Sequence, residues 1–515
     1  MNLTADPWIP VVWDDGKPGM VSLADAFSRG HQIHDLVVRP HERIALMRLL
    51  ICVAQAALDG PVDYEDWKTC QPRLVPAALD YLKRWQRAFE LFGDGQRFLQ
   101  VGDLKKKSGR QQEGDEGGNS VSKLDVALAT GNNSTLFDNA GGTTRMFSDA
   151  QLARNLLSFQ CFSPGGRIGV ALWGGMETLG RGSSLHAPCI AAGMLHTLVR
   201  GGCLLETIRF NLLSRSQITQ LYGEDRWGQP VWERLPDNAA DGDVLRNATA
   251  THLGRLIPLA RAVRLDESGL TMILANGLAF PTYPEWREPT ATVVVRHIKN
   301  QPTRILLRAS LGRAPWRELH SLTVKAISQT SNGGPLTLRE NVSDDQPFDL
   351  WVGGLVADQA KLLDTVESVF HVPAAMLTDS VQRTYEAGVK HTASIEFRLR
   401  RAISAYHGEV GDNLNKAEMH DRRKRVQDKA TSQFWTDVER HVSDLLAVVA
   451  DPATLGLDNA WHKTAWGQAT WRAVLAAYDS ACPRGTARQI RAHALGRKTL
   501  FAAPDGRNTK QEVKA

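Results

Sequence analysis

The sequence lacks any run approaching the ~20 uncharged apolar residues that a membrane-spanning helix needs, so no membrane partner is expected. Its start, Met1-Asn2-Leu3-Thr4-Ala5-Asp6-Pro7-Trp8, has neither a basic opening nor a following apolar stretch, and a soluble, cytoplasmic protein is expected. Cysteine is scarce. Cys52, Cys70, Cys161, Cys189, Cys203 and Cys482 lie singly, none in C-x-x-C and none at zinc-like spacing with histidines, which argues for reduced, buried thiols rather than a disulfide framework. Charge of one sign is not in large excess: 61 Lys and Arg against 56 Asp and Glu give +5, which permits a nucleic-acid partner without demanding one.

Familiar catalytic signatures are missing as well. Gly175-Met176-Glu177-Thr178-Leu179-Gly180-Arg181-Gly182-Ser183 has P-loop glycines, but Arg181 stands where the phosphate-reaching lysine belongs and Gly182 has no hydroxyl for magnesium. His41-Glu42 opens like a zinc-protease helix and lacks the second histidine, so the pair reads as the polar first turn of a buried helix. His31 and His34 have no third ligand nearby, and there is no G-x-S-x-G elbow. Asp63, Glu65 and Asp66 sit where solvated helix starts are expected. The expectation is no catalytic residue, no metal and no cofactor. An active site assembled from distant residues stays open as an alternative.

What is present is a chain of 515 residues, 43% hydrophobic and 23% charged, enough for two or three domains. Trp8 to Trp13 and Met20 to Leu23 read as strands about an Asp-Gly-Lys-Pro-Gly turn. Pro40 to Leu58 reads as a buried helix and Ala77 to Phe92 as a second. Long irregular segments are expected over 102–118, 130–142 and 163–184. Short strands follow at Leu270–Ala275, Thr292–Ile298 and Arg304–Leu307. Beyond Pro373 only helical segments remain, at Ala374–His407, Lys416–Ala450, Trp461–Ala481 and Thr486–Leu500, the pattern of an antiparallel bundle.

Three features suit nucleic acid. Arg422, Arg423, Lys424 and Arg425, with Arg398, Arg400 and Arg401, put basic clusters on neighbouring helices; a solvated face compensated by Glu396, Glu418, Asp421 and Asp428 is the plainer reading. Ser163-Pro164-Gly165-Gly166-Arg167-Ile168-Gly169 can bring backbone N–H groups close to phosphates or base edges, or be a plain turn. Trp351-Val352-Gly353-Gly354-Leu355-Val356-Ala357-Asp358-Gln359-Ala360 reads as a strand entering a glycine turn, with Gln359 on a hairpin or helix start where it could wedge between base pairs, or with Asp358 as an ordinary helix cap.

In order and spacing, several fragments resemble the CasA family, the large subunits of the type I-E CRISPR surveillance complex called Cascade. They are Asn2-Leu3 with Asp6-Pro7-Trp8-Ile9-Pro10-Val11, Phe162 to Gly166, Glu206 to Leu213, Asn276-Gly277-Leu278, Ala314-Pro315-Trp316, Pro347 to Ala360, and Ala476 to Gly485. The resemblance implies an α+β fold: a mixed α/β domain over 1–370 and a C-terminal four-helix bundle over 371–515. It implies a non-enzymatic subunit that reads the protospacer-adjacent motif of double-stranded target DNA, begins duplex unwinding and R-loop formation, and helps recruit a helicase-nuclease. Its implied partners are guide RNA, target DNA, the other Cascade subunits and that nuclease.

Carried onto this chain, the resemblance puts a glutamine wedge at Gln359 between Asp358 and Ala360, and a minor-groove loop at Gly165, Gly166, Arg167 and Gly169. An RNA-handle loop falls on Asn133 to Asn139, with Leu136 or Phe137 as its anchor; Phe137 is favoured because stacking needs a π-face. The basic run Arg422 to Arg425 would hold DNA. Three departures stand out: Leu270 replaces the family's minor-groove lysine, with Arg264 as a possible substitute; no cysteine cluster precedes that region; and Asp358 is an acid beside the wedge. The competing expectations are a nucleic-acid-processing enzyme with a dispersed metal site and a scaffold subunit that reads nothing.

Overall fold

The computed structural model describes residues 1–107, 118–128, 145–163, 168–179, 193–238, 240–280, 287–299, 301–325, 332–358, 361–411, 416–451 and 460–502. The chain divides into two compact units, Met1–Pro315 with Ser321–His371, and Trp316–His320 with Val372–Ala515. The first mixes helices with small sheets and the second is helical, so the architecture is α+β.

In the first unit β1 (Ile9–Trp13), β2 (Pro18–Val21) and β3 (Ile33–Leu36) form an antiparallel sheet in the order β2-β1-β3. The alternation of Ile9 and Val11 toward the core fixes its register, with Ile9 opposite Val21. Helix α1 (Pro40–Leu58) runs over the stretch expected of it, with Pro40 at its first position and Asp59 in the left-handed conformation closing it. It is buried nearly all round, and even the first-turn residues His41 and Glu42 are buried. Helix α2 (Gln71–Arg84) both starts and ends earlier than the expected Ala77–Phe92, a separate 3-10 turn covers Gln86–Phe89, and Pro76 lies inside the helix. Helix α3 (Asp149–Phe162) opens on a Ser148–Gln151 capping box.

Strand β4 (His196–Arg200) joins a three-stranded sheet with two strands described below. Strands β5 (Arg261–Leu265) and β6 (Thr271–Asn276) make a hairpin, and β7 (Val293–Ile298) with β8 (Gln301–Leu306) a two-stranded ribbon. Then come β9 (Phe348–Asp358) and β10 (Lys361–Val372), two long strands joined through only two residues. The sheet order is β10-β9-β4, with Trp351 opposite Leu198. Trp351 and Leu355 belong to the same apolar core as α1, α3 and β1.

The second unit contains α4 (Asp379–Val410), α5 (Lys416–Glu439), α6 (Val442–Ala450), α7 (Ala465–Ala481) and α8 (Ala487–Phe501). Tyr385, Leu399, Ile403, Phe434, Leu445, Val474, Tyr478 and Leu500 are buried among them. The segment expected as one helix over Lys416–Ala450 is two, because the chain turns at Arg440-His441 and the imidazole of His441 pairs with Asp444 at the start of α6. The bundle therefore has one more described helix than the four expected.

Candidate nucleic-acid interface

Gly353 and Gly354 do not make a turn: both lie inside β9, and the turn comes after Asp358, between two strands and not at a helix start. The glycines serve close approach. A Cβ on Gly353 would strike the Trp351 indole ring, and one on Gly354 would sit 2.8 Å from the Met194 carbonyl oxygen. The indole is thereby laid flat along the strand, where its Nε1 donates to Glu367 of β10 at 2.5 Å. Arg43 of α1 stands over the same ring at 5.6 Å and reaches Glu367 at 3.3 Å. It also pairs with Asp35, which Arg200 of β4 approaches at 3.3 Å. The root of the β9–β10 hairpin is thus tied to α1, β3 and β4. Asp358 ends β9, while Gln359 and Ala360 fall outside the described residues.

Ser163 closes α3 and is buried. Its hydroxyl accepts from Nε of Arg261 at 2.7 Å, and the Arg261 guanidinium also donates to the side-chain oxygen of Asn276 on β6. Asn276 passes the contact on, donating to the Leu179 carbonyl at 2.7 Å. Gln160, two residues before the end of α3, both accepts from the Arg261 backbone N–H at 3.0 Å and donates to its carbonyl at 2.9 Å. Burial brings the Arg261 side chain down to about 10, so it remains charged at neutral pH. The chain entering 164–167 therefore departs from a fixed point. Gly165, Gly166 and Arg167 lie outside the described residues, whereas Gly169 is exposed with open space where a Cβ would go.

Leu270 and Arg264 share the β5–β6 hairpin, as expected. Leu270 lies in its turn, and its carbonyl accepts from Val121. Arg264 is half-buried on β5 opposite Ile273. It lines a cavity of about 490 Å³ with Arg97, Lys106, Asp266 and Glu267. Asn133, Leu136 and Phe137 fall outside the described residues, but both flanks of that segment are described. The Arg145 N–H donates to the Ser122 hydroxyl at 3.2 Å, Asp125 is held by Arg39 at 2.8 Å, and Met146 is 81% exposed.

On α5, Arg422, Lys424 and Arg425 are exposed and Arg423 is half-buried. Arg422 and Arg425 line a shallow groove with Glu418 and Val426. The compensation expected for this face falls mainly on the neighbouring helix: Arg400 pairs with Glu396 at 2.7 Å and with Asp428 at 3.1 Å. Among the described residues, no carboxylate pairs with Arg423, Lys424 or Arg425.

The local sequence pattern of the β7–β8 ribbon implies only strands. No Asp or Glu occurs from Pro289 to Pro315, while Arg296, Lys299, Arg304, Arg308 and Arg313 do. Arg296, Lys299 and Arg308 are exposed, and no described carboxylate pairs with them. A running charge count, rather than a motif search, would have found this element. No group of three or more His, Cys, Asp or Glu is placed to hold a metal ion among the described residues.

Residues 2–477 match the family model for CRISPR-associated protein Cse1. A CRISPR-associated protein CasA/Cse1 of Thermus thermophilus is 30% identical over 408 residues, covering 76% of this chain and 74% of that protein. The crystal structure of Thermus thermophilus CasA superposes with a TM-score of 0.75 at 24% identity, over 97% of this chain and 98% of that one. A chain from a structure described as a CRISPR RNA-guided surveillance complex superposes with a TM-score of 0.69 at 18% identity, over 98% and 99% of the two chains.

Proposed function

We propose that this chain, which belongs to the Cse1 family of CRISPR-associated proteins, is the non-catalytic subunit of an RNA-guided surveillance complex that reads a short motif beside the DNA target and starts duplex opening. The observation that carries the reading is the pair of long strands β9 and β10, whose root is fixed by Trp351, Glu367 and Arg43 and which end at Asp358 and begin at Lys361, on either side of Gln359-Ala360 in the sequence. A tip held by two long paired strands suits a wedge, because an inserted side chain helps only if its support does not yield. Unstacking one base step costs a few kcal/mol, and guide pairing then proceeds as a near-balanced exchange of duplexes.

The other parts have matching roles. The segment at Gly165, Gly166 and Arg167 leaves the anchored Ser163 to present backbone donors to the minor groove, whose degenerate pattern suits a permissive motif. The segment containing Asn133, Leu136 and Phe137 takes the guide-RNA handle. Arg422 to Arg425 and the β7–β8 ribbon hold phosphates, while other faces meet the remaining subunits and the helicase-nuclease. The solved complex that shares this fold is described as an RNA-guided surveillance complex, which supports the assignment.

The test is binding of target duplexes with a randomised flank by the RNA-loaded partner subunits, with and without the chain. Tight binding to a subset of flanks only when the chain is present is the expected result. Flank-blind binding would remove the reading role, leaving a scaffold. Gln359→Ala should preserve flank selection while slowing strand opening; unchanged opening would take the wedge role from Gln359.

A further inference from the structure

Helix α8 carries Arg488, Arg491, Arg497 and Lys498 and no carboxylate at all. Its inner face is made by Ala492, His493, Gly496 and Leu500, all buried, so the helical period turns Ile490, Arg491, Lys498 and Phe501 outward. At the end of this face Phe501, 55% exposed, lies parallel to Trp471 of α7, with ring centroids 5.4 Å apart and planes 5° from parallel. The guanidinium of Arg398 on α4 lies over the same indole at 6.0 Å. One end of the α8 charge is already used, since Arg491 pairs with Glu409 at 3.0 Å and Arg488 donates to the Glu409 carbonyl. Around the stacked rings it is not: no described carboxylate pairs with Arg398, Arg472, Arg497 or Lys498. Nothing in the family resemblance or in the basic run on α5 accounts for this face.

We propose that Trp471 and Phe501, flanked by Arg398, Arg497 and Lys498, form a binding platform for single-stranded DNA. The chemistry is that of a stacking site: an aromatic plane held in place by a second ring, with cations on the same helix and on α4 to meet the phosphates of a bound strand. An apolar protein segment would find little here, because Phe501 sits in a field of unpaired positive charge. An acidic segment would satisfy the charge but has no use for a parallel ring pair. Double-stranded DNA offers phosphates and no free base face. The inference rests on the proposed function for the identity of the strand, which is the one displaced when the target opens.

The experiment uses the full-length chain and titrates a fluorescent thymidine oligonucleotide, an abasic strand of equal length and a duplex. The single strand with bases should bind more tightly than the abasic strand. Phe501→Ala and Phe501→Leu should each weaken it roughly tenfold, while leaving abasic binding unchanged. Lys498→Gln should lower the slope of log affinity against log salt by about 0.7. Because Phe501 is exposed, its variants should unfold at the same temperature as the unaltered chain, which separates lost binding from lost folding. Equal affinity of Phe501→Leu for the thymidine strand, or equal binding of the abasic strand, would overturn the proposal. So would Phe501-dependent binding of a polyglutamate peptide without such binding of the oligonucleotide, which would make the face a protein-docking surface. The same variants are assayed for flank-selective duplex binding in the RNA-loaded complex. Selection retained while strand binding is lost leaves the proposed function standing, and selection absent from the unaltered chain removes that function without touching the platform.

Discussion

Replacing Arg261 by methionine tests whether the glycine segment after Ser163 depends on its anchor. The charge-assisted hydrogen bonds of the side chain include those to the Ser163 hydroxyl and to Asn276. Bonds of that kind contribute about 1.5–3 kcal/mol each, so losing both costs roughly 3–6 kcal/mol. Against this, the burial that brings Arg261 down to about 10 penalises its charged form by on the order of 3 kcal/mol, and methionine carries no such penalty. The two effects nearly cancel, leaving a net loss of about 0–3 kcal/mol and a melting temperature lower by only a few degrees. The positional effect does not cancel, because a methionine side chain cannot bridge the Ser163 hydroxyl and the Asn276 side chain as Arg261 does. Flank-selective duplex binding by the RNA-loaded complex should therefore fall about tenfold or more while the fold survives. Arg261→Lys should lie between, since one ammonium does not reproduce the guanidinium fork. The assay pairs a thermal melt with the binding titration. Full flank selection in a folded Arg261→Met protein would refute the reasoning, and collapse of the fold would show Arg261 to be a general core strut.

Other perturbations have equally definite expectations. Glu288 is buried between Arg48 at 3.1 Å and Arg255 at 2.6 Å; Glu288→Gln should destabilise by about 3–5 kcal/mol by leaving two buried cations without their anion, read as a lowered denaturation midpoint with unchanged slope. His41 is wholly buried with neither ring nitrogen hydrogen-bonded, and burial, aided by Arg39, lowers it to about 4. The unfolded chain then binds a proton that the folded one refuses between about pH 6.5 and 4, so stability falls with pH across that window, and His41→Leu should flatten the fall without lowering the melting temperature at pH 7. On α5, Lys424→Gln with Arg425→Gln should weaken all duplexes equally and make the salt dependence shallower by about 1.5–2 in log–log slope; a change in flank preference would contradict a phosphate-holding role.

How far the sequence exposes this fold depends on what each residue is used for. Helix α1 is legible because its ends use local chemistry, a proline at the first position and a left-handed Asp59 at the last. Gly353-Gly354 misleads for the opposite reason: its glycines answer to Trp351 and Met194, one along the strand and one across the chain, and a turn-based reading has no access to either. The break between α5 and α6 has no proline or glycine to announce it, only a His441–Asp444 contact at the new helix start. Trp316–His320 clusters with the second unit, where Trp316 packs against Trp435 and Trp466. No local pattern signals that membership, since the partners lie more than a hundred residues away. Arg261 was equally silent, one arginine in a strand until Ser163 and Asn276 are brought to it.

The same distinction governs charge. A formal +5 over 515 residues looks too mild for a protein that grips nucleic acid. Yet the sum mixes two populations that the fold keeps apart. Arg48 and Arg255 are spent on one buried carboxylate, Arg261 on Ser163 and Asn276, and Arg43 on Asp35 and Glu367. These cations position backbone and offer nothing to a phosphate. Arg296, Lys299 and Arg308 on the ribbon, Arg423 to Arg425 on α5, and Arg497 and Lys498 on α8 have no described carboxylate partner. Counterion release depends on the cations that face phosphates, not on the net charge of the chain. A chain of modest net charge can therefore show a steep salt dependence, and its slope should fall with substitutions in the second population and stay fixed with those in the first.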